Sequence, residues 1–117
     1  MKYHLSRKAI GDIADLLDWS DEHFGAEAQQ RYEALVDQAI RDIAADPYRS
    51  LSKDRPELGE GLRTWHLRNS RDHAVGDKVK EPRHFLLYRV MGDEVQIGRV
   101  PHARKDLPGQ VTDDMWT

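Results

Sequence analysis

The side chains with the most chemical reach in this 117-residue chain are histidines and arginines gathered in its second half. His66 and Arg68 stand two apart in LRTWHLR, Arg83 and His84 open RHFLLYRV, and Arg99, His102, Arg104 and Lys105 crowd RVPHARKDLPG, directly after the last apolar run. Arg63 adds a guanidinium to the first of these runs. Arginines make bidentate contacts to phosphate oxygens, and an imidazole moves protons near neutral pH. Such a set can bind phosphates or cleave RNA. Cleavage needs a 2′-hydroxyl deprotonated, a leaving oxygen protonated and a pentavalent charge stabilised, and His and Arg suffice for that without metal. The same residues on a solvated rim, or facing an acidic partner, would do none of it, and composition alone does not separate the readings.

Other chemistries are thinly represented. There is no Gly-rich phosphate loop, no H-E-x-x-H and no G-x-S-x-G. His66, His73, His84 and His102 lack the local spacing of a metal site, and with no cysteine there is neither thiolate ligation nor a disulfide framework. Neither a metal nor a cofactor is expected. Trp65 and Tyr88 read as core residues rather than stacking platforms.

The elements that must position the basic residues follow from periodicity. Tyr3 to Leu5 is β-prone, and Ser6 is a candidate N-cap for a helix from Arg7 to Phe24. Ile10, Ile13, Leu17 and Phe24 share a face flanked by Ala9, Ala14 and Leu16, with Asp12, Asp15, Asp18 and Asp21 outside. Arg7 and Lys8 lie in the first turn, where the helix dipole disfavours cations, so something other than helix stability is expected to hold them. Gly25 fits the end of this helix, and a second period through Ala28, Tyr32, Leu35, Val36, Ala39, Ile40 and Ile43 runs until Pro47 stops it at Asp46. So short a link makes the two helices an antiparallel hairpin.

Residues 47–61, rich in Pro and Gly, read as a loop. The period then changes to two. In 62–68, Arg63, Trp65 and Leu67 alternate with Thr64, His66 and Arg68; 84–90 is apolar on both parities, as in a strand covered on both sides; MGDE turns the chain into 95–100. Residues 69–82 form a polar excursion, and 108–117 a tail. The expected architecture is α+β, in the order β-α-α-β-β-β, with the helical hairpin packed on a small twisted antiparallel sheet, as a single domain over 1–117: strand and hairpin in 1–46, sheet in 62–107. Pairing such strands antiparallel brings the end of 62–68, the start of 83–90 and the end of 95–100 to one edge, where the basic and imidazole residues collect.

The formal net charge of −3 argues against a protein that coats nucleic acid, yet it averages two unlike halves. Residues 1–60 carry 8 basic against 13 acidic side chains, and residues 61–112 carry 10 against 6. That is an acidic scaffold under a basic working face. The start of the chain has no apolar core of signal-peptide length, and no run approaches the ~20 apolar residues of a membrane span, so the cytoplasm is the expected location and no membrane partner is expected.

In element order and in particular residues the chain resembles the RelE/ParE superfamily of toxins from bacterial type II toxin–antitoxin systems. The resemblance runs through YHLSRKAIGDIADLLDWSDEHFG, AEAQQRYEALVDQAIRDIAADP, GLRTWHLRNS and HFLLYRVMGDEVQIGRVPHARKDL, and is most specific in RVPHARKD, closest to ParE-like members. It implies a cognate antitoxin, DNA-binding and with an amphipathic C-terminal segment, in a hetero-oligomer with the toxin. The hairpin residues Ile13, Leu17, Tyr32 and Val36 are the expected antitoxin contacts. Some superfamily members cleave mRNA on the ribosome, without metal; ParE-type members poison DNA gyrase. Matched to the nucleases, Arg68 and Arg104 would be catalytic with His102 as proton donor, while Arg63, His66, Arg83, Arg99 and Lys105 would bind phosphate or target. The nucleases commonly place a tyrosine just after this point, and DLPGQVTDDMWT has none. Their lysine-rich stretch before the sheet is here only Lys53 and Arg55 in an acidic loop. Both departures favour the gyrase-directed type; an inert antitoxin-binding module is the third possibility.

Overall fold

The structure, a computed structural model, describes residues 1–74 and 76–117. Val75, within the expected polar excursion, lies outside the described residues. A first strand, β1 (Lys2–Leu5), leads into α1 (Arg7–Phe24), whose start is fixed by Ser6: its Oγ accepts from the Ala9 N–H at 3.0 Å and donates to the Gly98 carbonyl at 2.7 Å. One buried hydroxyl thus caps the helix and ties it to the last strand, where a cap alone is worth about 1 kcal/mol. Gly25, at φ +89° and ψ 175°, turns the chain at once into α2 (Ala26–Ala45) through a conformation that side chains with a Cβ avoid.

The face α1 buries is not the expected one. Ala9, Leu16 and Ser20 are buried and Ile13 and Leu17 half-buried, whereas Ile10 and Phe24 are 55% and 67% exposed. Two polar tethers set this rotation: the Ser6–Gly98 bond, and Asp12, which accepts from Arg99 Nε at 2.8 Å and Nη2 at 3.0 Å. They press the small Ala9 onto the sheet and leave Ile10 outside.

Four further strands follow: β2 (Lys53–Asp54), β3 (Arg63–His66), β4 (Phe85–Met91) and β5 (Glu94–Arg99). They form one sheet in the order β1-β5-β4-β3-β2, antiparallel except that β1 runs parallel to β5. The α+β class and the order of one strand, two helices and then the remaining strands hold, but the expected antiparallel sheet is mixed, because the first strand joins it parallel to β5, and two further differences appear. The loop 47–61 contributes the two-residue β2, and the chain leaves β3 at His66, so that Leu67–His73 is a 3-10 segment rather than strand and excursion. The His66 Nδ1 accepts from the Arg68 N–H at 3.1 Å and closes that turn.

Both sheet faces are covered. The hairpin packs over Trp65, Leu86, Tyr88, Val95 and Ile97, while Leu62 and Leu87 face the other way onto Met115, Val111 and Trp116. Strict alternation fails in β3 for this reason, with Thr64 and Trp65 both buried. The expected tail is a packed element: α3 (Leu107–Gln110) and a 3-10 turn at Asp113–Trp116 carry Met115 into the second core. Gly98 makes room for it, since a Cβ there would lie 2.7 Å from the Met115 side chain. The awkward cation of α1 finds its purpose here, with Lys8 Nζ 3.2 Å from Asp114 and 3.3 Å from the Thr112 hydroxyl.

Candidate functional site

The sheet brings the end of β3, the start of β4 and the end of β5 to one edge. His66 pairs with Phe85, and beyond the strands His84 bridges to His102, with Ala103 N–H donating to Arg83 O at 2.6 Å. The His84 and His102 ring centroids stand 5.1 Å apart, edge to face, and His66 packs on Phe85 at 4.9 Å. Backbone pairing, not attraction among the imidazoles, holds the three together.

All three rings use Nδ1 as an acceptor. His66 takes the Arg68 N–H, His102 the Arg104 N–H at 3.0 Å, and His84 the Tyr32 hydroxyl at 2.7 Å, which itself accepts the Arg83 N–H at 3.1 Å. Burial keeps the Tyr32 phenol protonated as that donor. The assignment leaves each ring neutral with its proton on Nε2. Burial, reinforced by His102, holds His84 down at about 4; burial with the Arg68 and Lys53 charges does the same to His66, also about 4. His102 is lowered by partial burial and by Arg104, Arg83 and Lys105. At pH 7 the positive charge of the edge therefore comes from its arginines and lysines.

Of the basic residues singled out from sequence, Arg68, Arg104 and Lys105 are exposed at this edge and have no carboxylate within 4.0 Å among the described residues. Arg83 is there too, paired with Glu81 at 2.6 Å. Arg63 and Arg99 are spent inside the fold. Arg63 Nε donates to Ser52 Oγ at 2.9 Å, and Ser52 meets the Tyr88 hydroxyl, which donates to Pro47 O at 2.6 Å; the chain of bonds pins the 47–61 loop. Arg99 is held by Asp12, both side chains 18% exposed.

The hairpin residues fall differently again. Val36 is closed into the core, Ile13 and Leu17 pack against it, and Tyr32 commits its hydroxyl to His84. The burial of Val36 corrects its expected place in a binding groove. The apolar surface the hairpin offers a partner is Ile10, Trp19 and Phe24, with Trp19 stacked on His23 at 4.2 Å.

His84, which the sequence places at this edge as the opening of a strand, proves to be the centre of the imidazole row, and one feature, Asp42, lies outside the sequence candidates. Asp42, 7% exposed, accepts from Ser70 Oγ at 2.6 Å, Gln38 Nε2 at 2.9 Å and His73 Nδ1 at 3.1 Å, while Trp65 Nε1 donates to Ser70 at 2.9 Å. Its signal was an acid set between Ala39, Ile40 and Ile43 on the buried stripe of α2. Among the described residues no group of three or more His, Cys, Asp or Glu is placed to hold a metal ion.

The edge can hold an anion by Nε2–H donors and guanidinium groups, and it offers a basic contact surface. Residues 3–107 match the family model described as ParE toxin of type II toxin-antitoxin system, parDE. The chain belongs to the ParE toxin family. A solved structure of the chromosomal ParDE TA system from P. aeruginosa shares the fold, with a TM-score of 0.66 at 20% identity over 89% of this chain and 97% of that one. No curated protein sequence matches. As a ParE-family member the chain is a toxin of the type II class, and its resemblance to the superfamily stands on the ParE side. Among the described residues no helix is long and apolar enough to cross a membrane.

Proposed function

We propose that the chain is a growth-inhibiting toxin that acts on DNA gyrase through protein contacts made by the basic edge, and that a cognate antitoxin, encoded to accompany it, neutralises it. The observation that carries this reading is the family match over residues 3–107. The edge supports it. With His66 and His84 held down at about 4 and His102 also lowered, the neutral imidazole is favoured at pH 7, which suits the edge poorly to protonating a leaving oxygen. Arg68, Arg83, Arg104 and Lys105 nonetheless present a dense positive surface, suited to steering and holding an acidic protein face.

An amphipathic antitoxin segment has two places to bind. Ile10, Trp19 and Phe24 offer exposed apolar area on α1, and β1 ends the sheet with its outer edge unpaired. Burying the first and pairing the second would make the hetero-oligomer expected of a toxin with its antitoxin.

A second reading, a metal-independent mRNA endonuclease on the ribosome, is favoured by one observation: Arg68 and Arg104 both follow a histidine by two residues and are set by the same Nδ1-capped turn. Induction of the chain alone in a bacterial host, following DNA breakage and translation together, separates the readings. Early DNA breakage with translation intact is the expected result. Early loss of translation with cleaved messages, abolished by Arg68→Ala with Arg104→Ala, would establish the nuclease instead, and normal growth would leave an inert antitoxin-binding module.

A further inference from the structure

Beside the imidazole edge, the 3-10 segment Leu67–His73 and residues 80–82 enclose an open cavity of about 490 Å³. We propose that it binds the phosphodiester backbone of a nucleic acid, a property separate from the action on gyrase.

Three cations line it: Arg68, Arg71 and Lys80. None has a carboxylate within 4.0 Å among the described residues. Two acids also line it, and both are already taken, Asp72 by Lys78 at 3.1 Å and Glu81 by Arg83 at 2.6 Å. The cavity therefore holds uncompensated positive charge. Arg71 adds a second argument. Its Nε is buried and lacks a hydrogen-bond partner, the only such side-chain atom among the described residues. An unmet buried donor is destabilising, more so when charged, and an oxyanion that draws the guanidinium toward the cavity supplies the missing acceptor.

The lining also selects the kind of phosphate ligand. No aromatic side chain borders the cavity, so a base has no ring to stack on, and binding falls to the phosphates. A free nucleotide would gain little from such a site. A strand would gain more, because Arg68 belongs both to this cavity and to the exposed cationic edge that continues through Arg104 and Lys105. The net charge of −3 confines the interaction to this face, so a few phosphates are engaged and affinity is modest and independent of sequence.

The test is fluorescence anisotropy of short labelled single-stranded and duplex oligonucleotides with the full chain, across a salt series and without gyrase. We expect binding whose logarithm falls with log salt at a slope of about −2 to −3. Arg71→Gln and Lys80→Gln should each reduce that slope by about 1, at every sequence tried. Arg41→Gln, on the exposed side of α2, should leave it unchanged, and circular dichroism checks that each variant folds. Unaltered slopes in both Lys80→Gln and a folded Arg71→Gln would overturn the proposal. So would a mononucleotide that binds as tightly as the oligonucleotide, which would make this a small-molecule site, or an acidic peptide that displaces the oligonucleotide at equal charge. Loss of gyrase inhibition with oligonucleotide binding intact would bear on the toxin reading alone.

Discussion

The buried Asp42 carboxylate connects α2 to the 3-10 segment that shapes the edge, through Ser70, His73 and the Trp65 indole. Burial pushes its pKa up, but the bonds from Ser70, Gln38 and His73 and the Arg49 charge together hold it below the usual value. Asp42→Ala would strand the Ser70 hydroxyl and loosen Arg49, at a cost of about 2–4 kcal/mol in urea denaturation, with Asp42→Asn milder. His84 makes a prediction in pH. Its folded pKa of about 4 lies below the ordinary 6.5, so the unfolded chain takes up the proton first. The stability from a neutral His84 is complete above pH 6.5 and is lost as pH falls toward 4, an effect of about 2–3 kcal/mol for a group this buried. His84→Gln should flatten denaturation midpoints measured between pH 7 and pH 4.5, roughly the window the linkage defines. From sequence the edge histidines were visible as residues, but their neutrality was not. It depends on burial first, and then on the charges of Arg68, Lys53 and the neighbouring His102, which only the fold brings close; the Nδ1 bonds from Tyr32 and the backbone fix where the ring proton sits.

At the scale of elements, the second sheet face is the feature with most at stake. Met115 and Trp116 cover Leu62 and Leu87, and the Arg89 guanidinium lies 4.2 Å over the Trp116 ring. Trp116→Ala should cost about 2–4 kcal/mol, and Gly98→Val should cost a comparable amount by driving a side chain into Met115. Thermal unfolding of the two variants measures both, and a truncation at Val111 should show the larger loss. The helices were legible because 18 and 20 residues of period, a serine cap, a glycine and a proline all agree. The rotation of α1 was not, since Ala9 outranks Ile10 only once Asp12 has found Arg99. The last residues were not legible either: two short turns with scattered apolar residues carry no period, and their burial comes from Gly98 and Leu87 far back in the chain.

For the whole molecule, the acidic first half proves to be a hairpin scaffold, and the basic second half a sheet whose one edge gathers Arg68, Arg83, Arg104 and Lys105. That edge was legible in outline, since antiparallel pairing alone brings the three strand ends together. Arg63 and Arg99 were not separable from it by type or spacing, because their partners Ser52 and Asp12 are set by the fold. The family match makes the chain a ParE-family toxin, and the proposed action on gyrase puts this edge to work. The most direct measurement is a supercoiling and cleavage assay with purified chain, bacterial gyrase and relaxed plasmid. Loss of supercoiling with accumulation of linear, protein-linked DNA, weakened by Arg104→Ala in a folded variant, is the predicted result. Gyrase that supercoils and reseals normally at saturating toxin, while ribosome-bound messages are cut by the same preparation, would contradict it.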